Sequence, residues 1–212
     1  VTTPSLSGSL ARTAVIALHY QNDVLDPRGK IRVGFDADQP ERAAVLDAAR
    51  ALLAGARAHG LPIVHVRIAF RDDYADLPRN APIFVRTAEI GAVRDGSWGA
   101  RFHPTLEPDP ARALDYVVHH RCTSGFIGTP LEQMLTAHDV RHVIVAGVAT
   151  HSTVEMTARH AADLGYRVTV AADACACADR RQHDASLESM RLIATISTVA
   201  ELVGTGSQTE GE

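Results

Sequence analysis

The chain has 212 residues, 46% apolar and 22% charged, which suits a single α/β domain with a sizeable core. A net charge of -4 gives no electrostatic basis for binding nucleic acid or an anionic membrane, and the apolar runs are strand-sized, too short to span a bilayer. The three cysteines, Cys122, Cys175 and Cys177, suggest neither a disulfide framework nor a structural zinc site, so a reducing cytoplasm is the simplest expectation.

Residues 1–10 are rich in Ser and Thr and lack a charged start and an apolar core, so they read as a flexible arm rather than a signal peptide. One domain is expected over 11–204, followed by a tail at 205–212. Thr13 to Leu18 is short, apolar and partly β-branched, which predicts a buried strand. Gln21 to Gly34, with Pro27 and Gly29, reads as a loop. Glu41 to His59 repeats apolar residues at helical spacing. Pro40 opens that helix, Gly60 stops it, and Gly55 weakens it from inside. Pro62 to Ile68 is the second strand. Ala69 to Arg112 shows no sustained period, and a segment of that length without structure is often functional.

Tyr116 to His119 is the third strand, and Thr129-Pro130 opens a short helix to His138. His142 to Ala146 is the fourth strand. A tight turn through Ala149 to Thr153 then leads into a helix from Val154 to Leu164. Arg167 to Ala172 is the fifth strand, Arg180 to Arg191 a helix, Ile193 to Ile196 a sixth strand, and Val199 to Val203 a last helix. Strands alternating with helices predict a three-layer α/β/α sandwich around a mainly parallel sheet of about six strands. Ligands bind such sheets at the carboxyl ends of the strands. That rule singles out His19, His120 and the turn leading to Thr153. A strand, turn and helix N-terminus of this kind points backbone N–H groups and a side chain into a crevice.

Several segments together resemble the isochorismatase-like hydrolases, the cysteine hydrolase superfamily. They are Leu18-His19-Tyr20-Gln21-Asn22-Asp23, Ser124-Gly125-Phe126-Ile127-Gly128-Thr129-Pro130-Leu131, Gly147-Val148-Ala149-Thr150 with Val154-Glu155 and Thr157-Ala158-Arg159, and Ala172-Asp173-Ala174-Cys175-Ala176 with His183. The resemblance runs from about Arg12 to Leu202. It implies an aspartate, lysine and cysteine as working residues, and these positions hold His19, His120 and Thr153 here. It also implies a non-proline cis bond at Val148-Ala149, a pocket lined by the long segment before the third strand, and a homodimer or homotetramer.

A threonine hydroxyl is a poor nucleophile near neutral pH without a strong base beside it, whereas imidazole titrates near neutrality. The candidate catalytic set is therefore His19, His120 and Thr153, with the backbone at Ala149 and Thr153 holding developing negative charge. His119, on the alternate sheet face, is expected to pack, and Glu155 to support the helix start. Tyr20, Gln21, Phe70, Trp98, Phe126 and His151 are candidate substrate contacts. Arg67, Arg71 and Arg121 are candidates for meeting a carboxylate.

Neutral imidazoles at His19, His120 and His151 suit zinc or iron. No short ligand spacing supports such a site, and the chain lacks the Asp-x-His segment of the metal-binding nicotinamidases, so no metal and no cofactor are expected. The function this implies is acid/base chemistry on a small organic molecule in a remodelled site, possibilities including vinyl-ether hydrolysis and a non-hydrolytic biosynthetic step. Two alternatives stand beside it: a non-catalytic relative that binds a small molecule or protein, and an amidohydrolase with Thr153 as nucleophile.

Overall fold

The structure is a computed structural model that describes residues 10–31 and 40–203. Apart from Leu10, the expected N-terminal arm lies outside the described residues, as does the tail at 205–212. Six strands form one parallel sheet: β1 (Thr13–Leu18), β2 (Ile63–Ile68), β3 (Asp115–His120), β4 (His142–Val148), β5 (Arg167–Ala176) and β6 (Thr195–Ser197). Their order is β3-β2-β1-β4-β5-β6. Every residue of β1 and β4 is buried, which is why these two central strands read as unbroken apolar runs. Edge strand β3 is only partly covered.

The helices are α1 (Asn22–Leu25), α2 (Pro40–Ala58), α3 (Pro82–Glu89), α4 (Leu131–Ala137), α5 (Glu155–Asp163), α6 (Arg180–Met190) and α7 (Val199–Val203). The sheet is built outward from β1 in one direction and from β4 in the other. Right-handed crossovers then put α2 and α5 on opposite faces, giving three layers. Gly55 in α2 has a packing reason: a Cβ there would lie 2.5 Å from the Val203 side chain of α7. The missing side chain lets the two helices meet, at the cost in helix propensity that the sequence reveals.

Two expectations are corrected. Gln21 to Gly34 is not all loop, because Asn22–Leu25 makes one buried helical turn. Ala69 to Arg112 is not structureless, because it contains α3, with Ala81 as an extended N-cap and Pro82 in the first turn. Its fixings are mostly tertiary. The Gln21 side-chain amide donates to the carbonyls of Ile68 and Ala100, both at 2.8 Å, and accepts from the Ile68 N–H at 2.8 Å. Asn22 donates to the Trp98 carbonyl at 2.9 Å. Asp23 accepts the Val93 N–H at 2.7 Å and the Lys30 N–H at 3.1 Å. No hydrophobic period is needed in a segment held this way.

The β1–β4 neighbourhood is the point where the sheet reverses its winding, the usual place for a ligand crevice. Gly147 has φ of +142°, and a Cβ there would lie 2.2 Å from the Leu18 carbonyl oxygen. Only glycine allows the ends of β1 and β4 to approach this closely.

Candidate active site

The chain leaves β1 at His19, which has φ of +54°, a left-handed conformation uncommon outside glycine. Its backbone is held from both sides: the His19 N–H donates to the Val66 carbonyl at 2.9 Å, and its carbonyl accepts the Gln21 N–H at 2.7 Å. His120 ends β3, two strands away. The two rings meet through a hydrogen bond between their Nε2 atoms, with centroids 4.7 Å apart. His120 also donates from Nδ1 to the Ser124 carbonyl at 3.2 Å.

Both rings are nearly buried, and both titrate low. His120 is pushed down to about 4, chiefly by burial, against the Ser124 carbonyl, which favours its charged form. Burial first, and the neighbouring His120 second, hold His19 well below its ordinary value, while the Val148 carbonyl favours the protonated ring. Both imidazoles are therefore neutral at neutral pH.

After β4 the Val148-Ala149 bond is cis. A π-helical turn, Thr150–Val154, then joins the strand to α5. The Ala149 carbonyl accepts the N–H groups of Ser152 and Val154, at 3.2 and 3.3 Å, so those two donors are used within the turn. Thr150 is tied to α6 by a 2.8 Å hydrogen bond between its hydroxyl and His183 Nδ1. Glu155 is tied to it by accepting from the Ser186 hydroxyl at 2.6 Å. The Thr153 side chain remains. It is 1% exposed, and its hydroxyl has no hydrogen-bond partner among the described residues. An unpaired buried hydroxyl costs on the order of 1–3 kcal/mol, and Thr153 Oγ1 is the one unpaired buried atom among the described residues that also lines the cavity described next.

His19, Val148, Ala149, His151, Ser152 and Thr153 all line one cavity of about 120 Å³. The rest of its wall is mostly apolar: Val24, Ile31, Ile68, Val93, and Ile83, Phe84 and Thr87 from α3, with Cys122 and Thr123. None of these residues is an aspartate, glutamate, lysine or arginine. His120 is not in the wall; it sits behind His19. His151 lines the cavity from an exposed position, and its Nδ1 is 2.8 Å from Cys177 Sγ. It therefore does not join the other two rings, and no group of three metal-ligating side chains occurs among the described residues.

The other candidate contacts lie elsewhere. Tyr20 is fully buried and donates its hydroxyl to the Ala174 carbonyl at 2.7 Å, so it is core. Gln21 is spent on the three bonds given above. Phe70 packs on Tyr74 and Phe84, behind the cavity wall. Trp98 is 39% exposed under the Arg28 guanidinium, 4.7 Å from its ring centre. Phe126 packs on His160 and Tyr166. Arg67, Arg71 and Arg121 pair with Asp95, Asp73 and Asp76 respectively, and none lines the cavity. Sequence reasoning missed the α3 wall. Its signal was Pro82 followed by Ile83, Phe84 and Thr87 at helical spacing, too short a run to stand out in a 44-residue irregular stretch.

The sequence model of the isochorismatase domain matches residues 13–201. The chain belongs to the isochorismatase family. The isochorismatase family protein YecD of Escherichia coli O157:H7 is 30% identical over 195 residues, covering 90% of this chain and 94% of its own length. The ureidoacrylate amidohydrolase RutB of Caulobacter segnis is 28% identical over 211 residues, covering 92% and 86%. Among solved structures, a cysteine hydrolase from Pseudomonas syringae pv. phaseolicola 1448A superposes with a TM-score of 0.79 at 25% identity, covering 91% of each chain. The family fold, with its crevice at the β1–β4 join, is thus the frame on which this cavity is built. No helix among the described residues is long and apolar enough to cross a membrane.

Proposed function

We propose that this isochorismatase-family chain is an enzyme with a remodelled site. It performs acid/base chemistry on a small, uncharged organic molecule, without a cysteinyl intermediate. His19 exchanges protons with the substrate, His120 holds and polarises His19 from behind, and the Thr153 hydroxyl hydrogen-bonds the substrate. The observation that carries this reading is the His19–His120 hydrogen bond at the wall of an apolar cavity that also contains the unpartnered Thr153 hydroxyl. The absence of charged side chains from the described wall supports an uncharged substrate, because an ion would lose its hydration there without a partner.

Amide hydrolysis through Thr153 is the second reading. It is favoured by the name of the RutB relative and by a free hydroxyl at the position that the family resemblance gives to the nucleophile. A hydroxyl nucleophile needs a base bonded to it, and Thr153 has none among the described residues; the His19 ring bonds His120 instead.

A panel of small carbonyl compounds, vinyl ethers and amides, assayed with variants, separates the readings. His19→Gln is expected to lower turnover by about 10²–10⁴, the usual worth of a general acid or base, and Thr153→Ala by only about tenfold. Complete loss in Thr153→Ala, together with a covalent adduct on Thr153 by mass spectrometry, would establish the hydrolytic reading instead. Unchanged turnover in His19→Gln would remove the acid/base reading. A homodimer or homotetramer and a cytoplasmic location belong to the same proposal. They are supported by the family resemblance and by three free thiols, and sedimentation and fractionation check them.

A further inference from the structure

The three free cysteines stand in three different settings. Cys175 is buried in β5, where burial pushes its thiol up to about 12. Cys177 is buried too, and its Sγ contacts His151 Nδ1 at 2.8 Å and the Gln182 side-chain oxygen at 3.7 Å. Cys122 is only half-buried, and it is the one cysteine in the described wall of the 120 Å³ cavity.

The position of Cys122 is fixed by its neighbours. It lies two residues past the end of β3, inside the loop that the His120–Ser124 hydrogen bond closes at 3.2 Å. Before it, Arg121 pairs with Asp76. After it, the Ser124 hydroxyl lies 2.9 Å from His160 Nδ1, and the Gly125 N–H donates to the Thr157 hydroxyl at 3.0 Å, so α5 anchors the far end of the loop. A second observation points to a ligand in front of this thiol. The Thr153 hydroxyl borders the same cavity, is almost completely buried and has no partner among the described residues. The cavity is well below the range of about 300–1,000 Å³ usual for drug-sized ligands, so a molecule that fills it is small and touches both walls.

We propose that this cavity is a covalent capture site for small, uncharged α,β-unsaturated carbonyl compounds, with Cys122 as the thiol that is modified and the Thr153 hydroxyl as the group that holds the carbonyl oxygen. Cys122 loses its proton to water, and its Sγ forms a bond to the β-carbon. The carbon–carbon π pair shifts toward the carbonyl carbon, and the carbonyl π pair moves onto oxygen. The Thr153 hydroxyl donates to that oxygen as its charge develops. The α-carbon then takes a proton from water and the carbonyl is restored. The net change is addition of S–H across the double bond, with no oxidant, reductant or leaving group. The described wall holds no carboxylate, ammonium or guanidinium, so an ionic electrophile would lose its hydration without a partner. The thioether fills the cavity and closes it to other ligands. This capture is independent of the acid/base reading, because neither histidine takes part in the bond that forms.

The test uses the whole chain and acrylamide, with labelling of each cysteine followed by mass spectrometry and every rate divided by that of free glutathione. Cys122 is expected to react about tenfold or more faster than glutathione, with a rate that saturates as acrylamide rises, while Cys175 and Cys177 lag behind. Thr153→Val is expected to slow Cys122 about tenfold, the loss of one hydrogen bond, with its fold checked by urea unfolding. Propionamide, the saturated analogue, is expected to protect Cys122 in the unaltered chain, which needs no variant. Acrylate, similar in size but charged, is expected to show no such acceleration. A linear, glutathione-like rate at Cys122 overturns the proposal, as does indifference to Thr153→Val or to propionamide, or equal acceleration with acrylate. No turnover is measured, so failure here leaves the acid/base function standing, and inactivity of His19→Gln leaves the capture site standing.

Discussion

Two stretches that meet at the end of β1 handle polar groups in opposite ways. In Gln21 to Asp23 the side chains are spent on the fold, with three bonds from the Gln21 amide, two into the Asp23 carboxylate and one from the Asn22 amide nitrogen, although Asn22 Oδ1 has no partner among the described residues. Two residues earlier, at His19, the cavity begins, where the Thr153 hydroxyl has no partner among the described residues. The first region converts hydrogen bonds into stability. The second holds an unsatisfied hydroxyl whose cost a bound ligand would recover under the function proposed above. The contrast separates structural from chemical polar residues even where they are sequence neighbours.

The change that should break both regions at once is Gly147→Ala. The added Cβ would meet the Leu18 carbonyl at 2.2 Å in a backbone conformation of positive φ, which forces the β1 and β4 ends apart. A loss of about 4 kcal/mol or more in urea unfolding is expected, together with loss of ligand binding. Retained stability would mean that the join is far softer than the geometry requires.

Gln21→Ala should affect only the first region. It leaves the Ile68 N–H and the Ile68 and Ala100 carbonyls without their partner, for a loss of about 3 kcal/mol. The stretch from Val93 to His103 should become faster to exchange amide hydrogens. An unchanged exchange pattern would mean that Asn22 and Asp23 suffice to hold it.

Acid should act through buried histidines, one of them directly behind the cavity. His120 and His142 stay neutral in the folded chain until pH nears about 4, whereas in an unfolded chain they take up protons near 6.5. Between these values the unfolded chain binds more protons, so stability falls as pH drops, by about 1.4 kcal/mol per pH unit for each ring. It is fully present above about 6.5. His142 lies between the Thr13 and Thr169 hydroxyls, away from the cavity. His120→Gln should therefore flatten only part of the slope; an unaltered slope would show that His120 is already charged in the fold.

The smallest effect on stability is expected from Thr153→Val. It removes a hydroxyl that bonds nothing and keeps the shape, so stability should hold or rise by about 1 kcal/mol while turnover falls. A marked destabilisation would assign the hydroxyl to packing and sink its role toward a ligand.

Much of this molecule was readable from the chain. Apolar runs and helical periods located the six strands and most helices, because burial on both faces of β1 and β4 demands continuous hydrophobicity. The strand-end rule selected His19, His120 and the turn at Thr153, which the fold brings to the β1–β4 crevice or directly behind it. Phe70, Phe126, Tyr20 and Trp98 lie outside the cavity wall, which the sequence could not foresee because an aromatic side chain has the same one-dimensional signature whether it lines a pocket, fills a core or lies under an arginine. Arg67 and Arg121 pair with aspartates 28 and 45 residues away, a pairing the sequence could not show, whereas the partner of Arg71, Asp73, is only two residues on.

What the sequence by itself determined is the alternation of strand and helix, and with it the parallel sheet and the crevice where it reverses. Residue types at strand ends then restricted the candidate groups to imidazole and hydroxyl. Tertiary structure alone decided which ring faces the cavity and which ring stands behind it. It also decided that α3, tied to β1 through Gln21, Asn22 and Asp23, supplies the apolar wall. The physical reason is that periodicity records burial, which is summed over a whole element, whereas a site depends on single bonds. Each of those bonds, from His19 to His120 or from His120 to Ser124, is made by a loop or strand end whose place is set only when the sheet has closed around it.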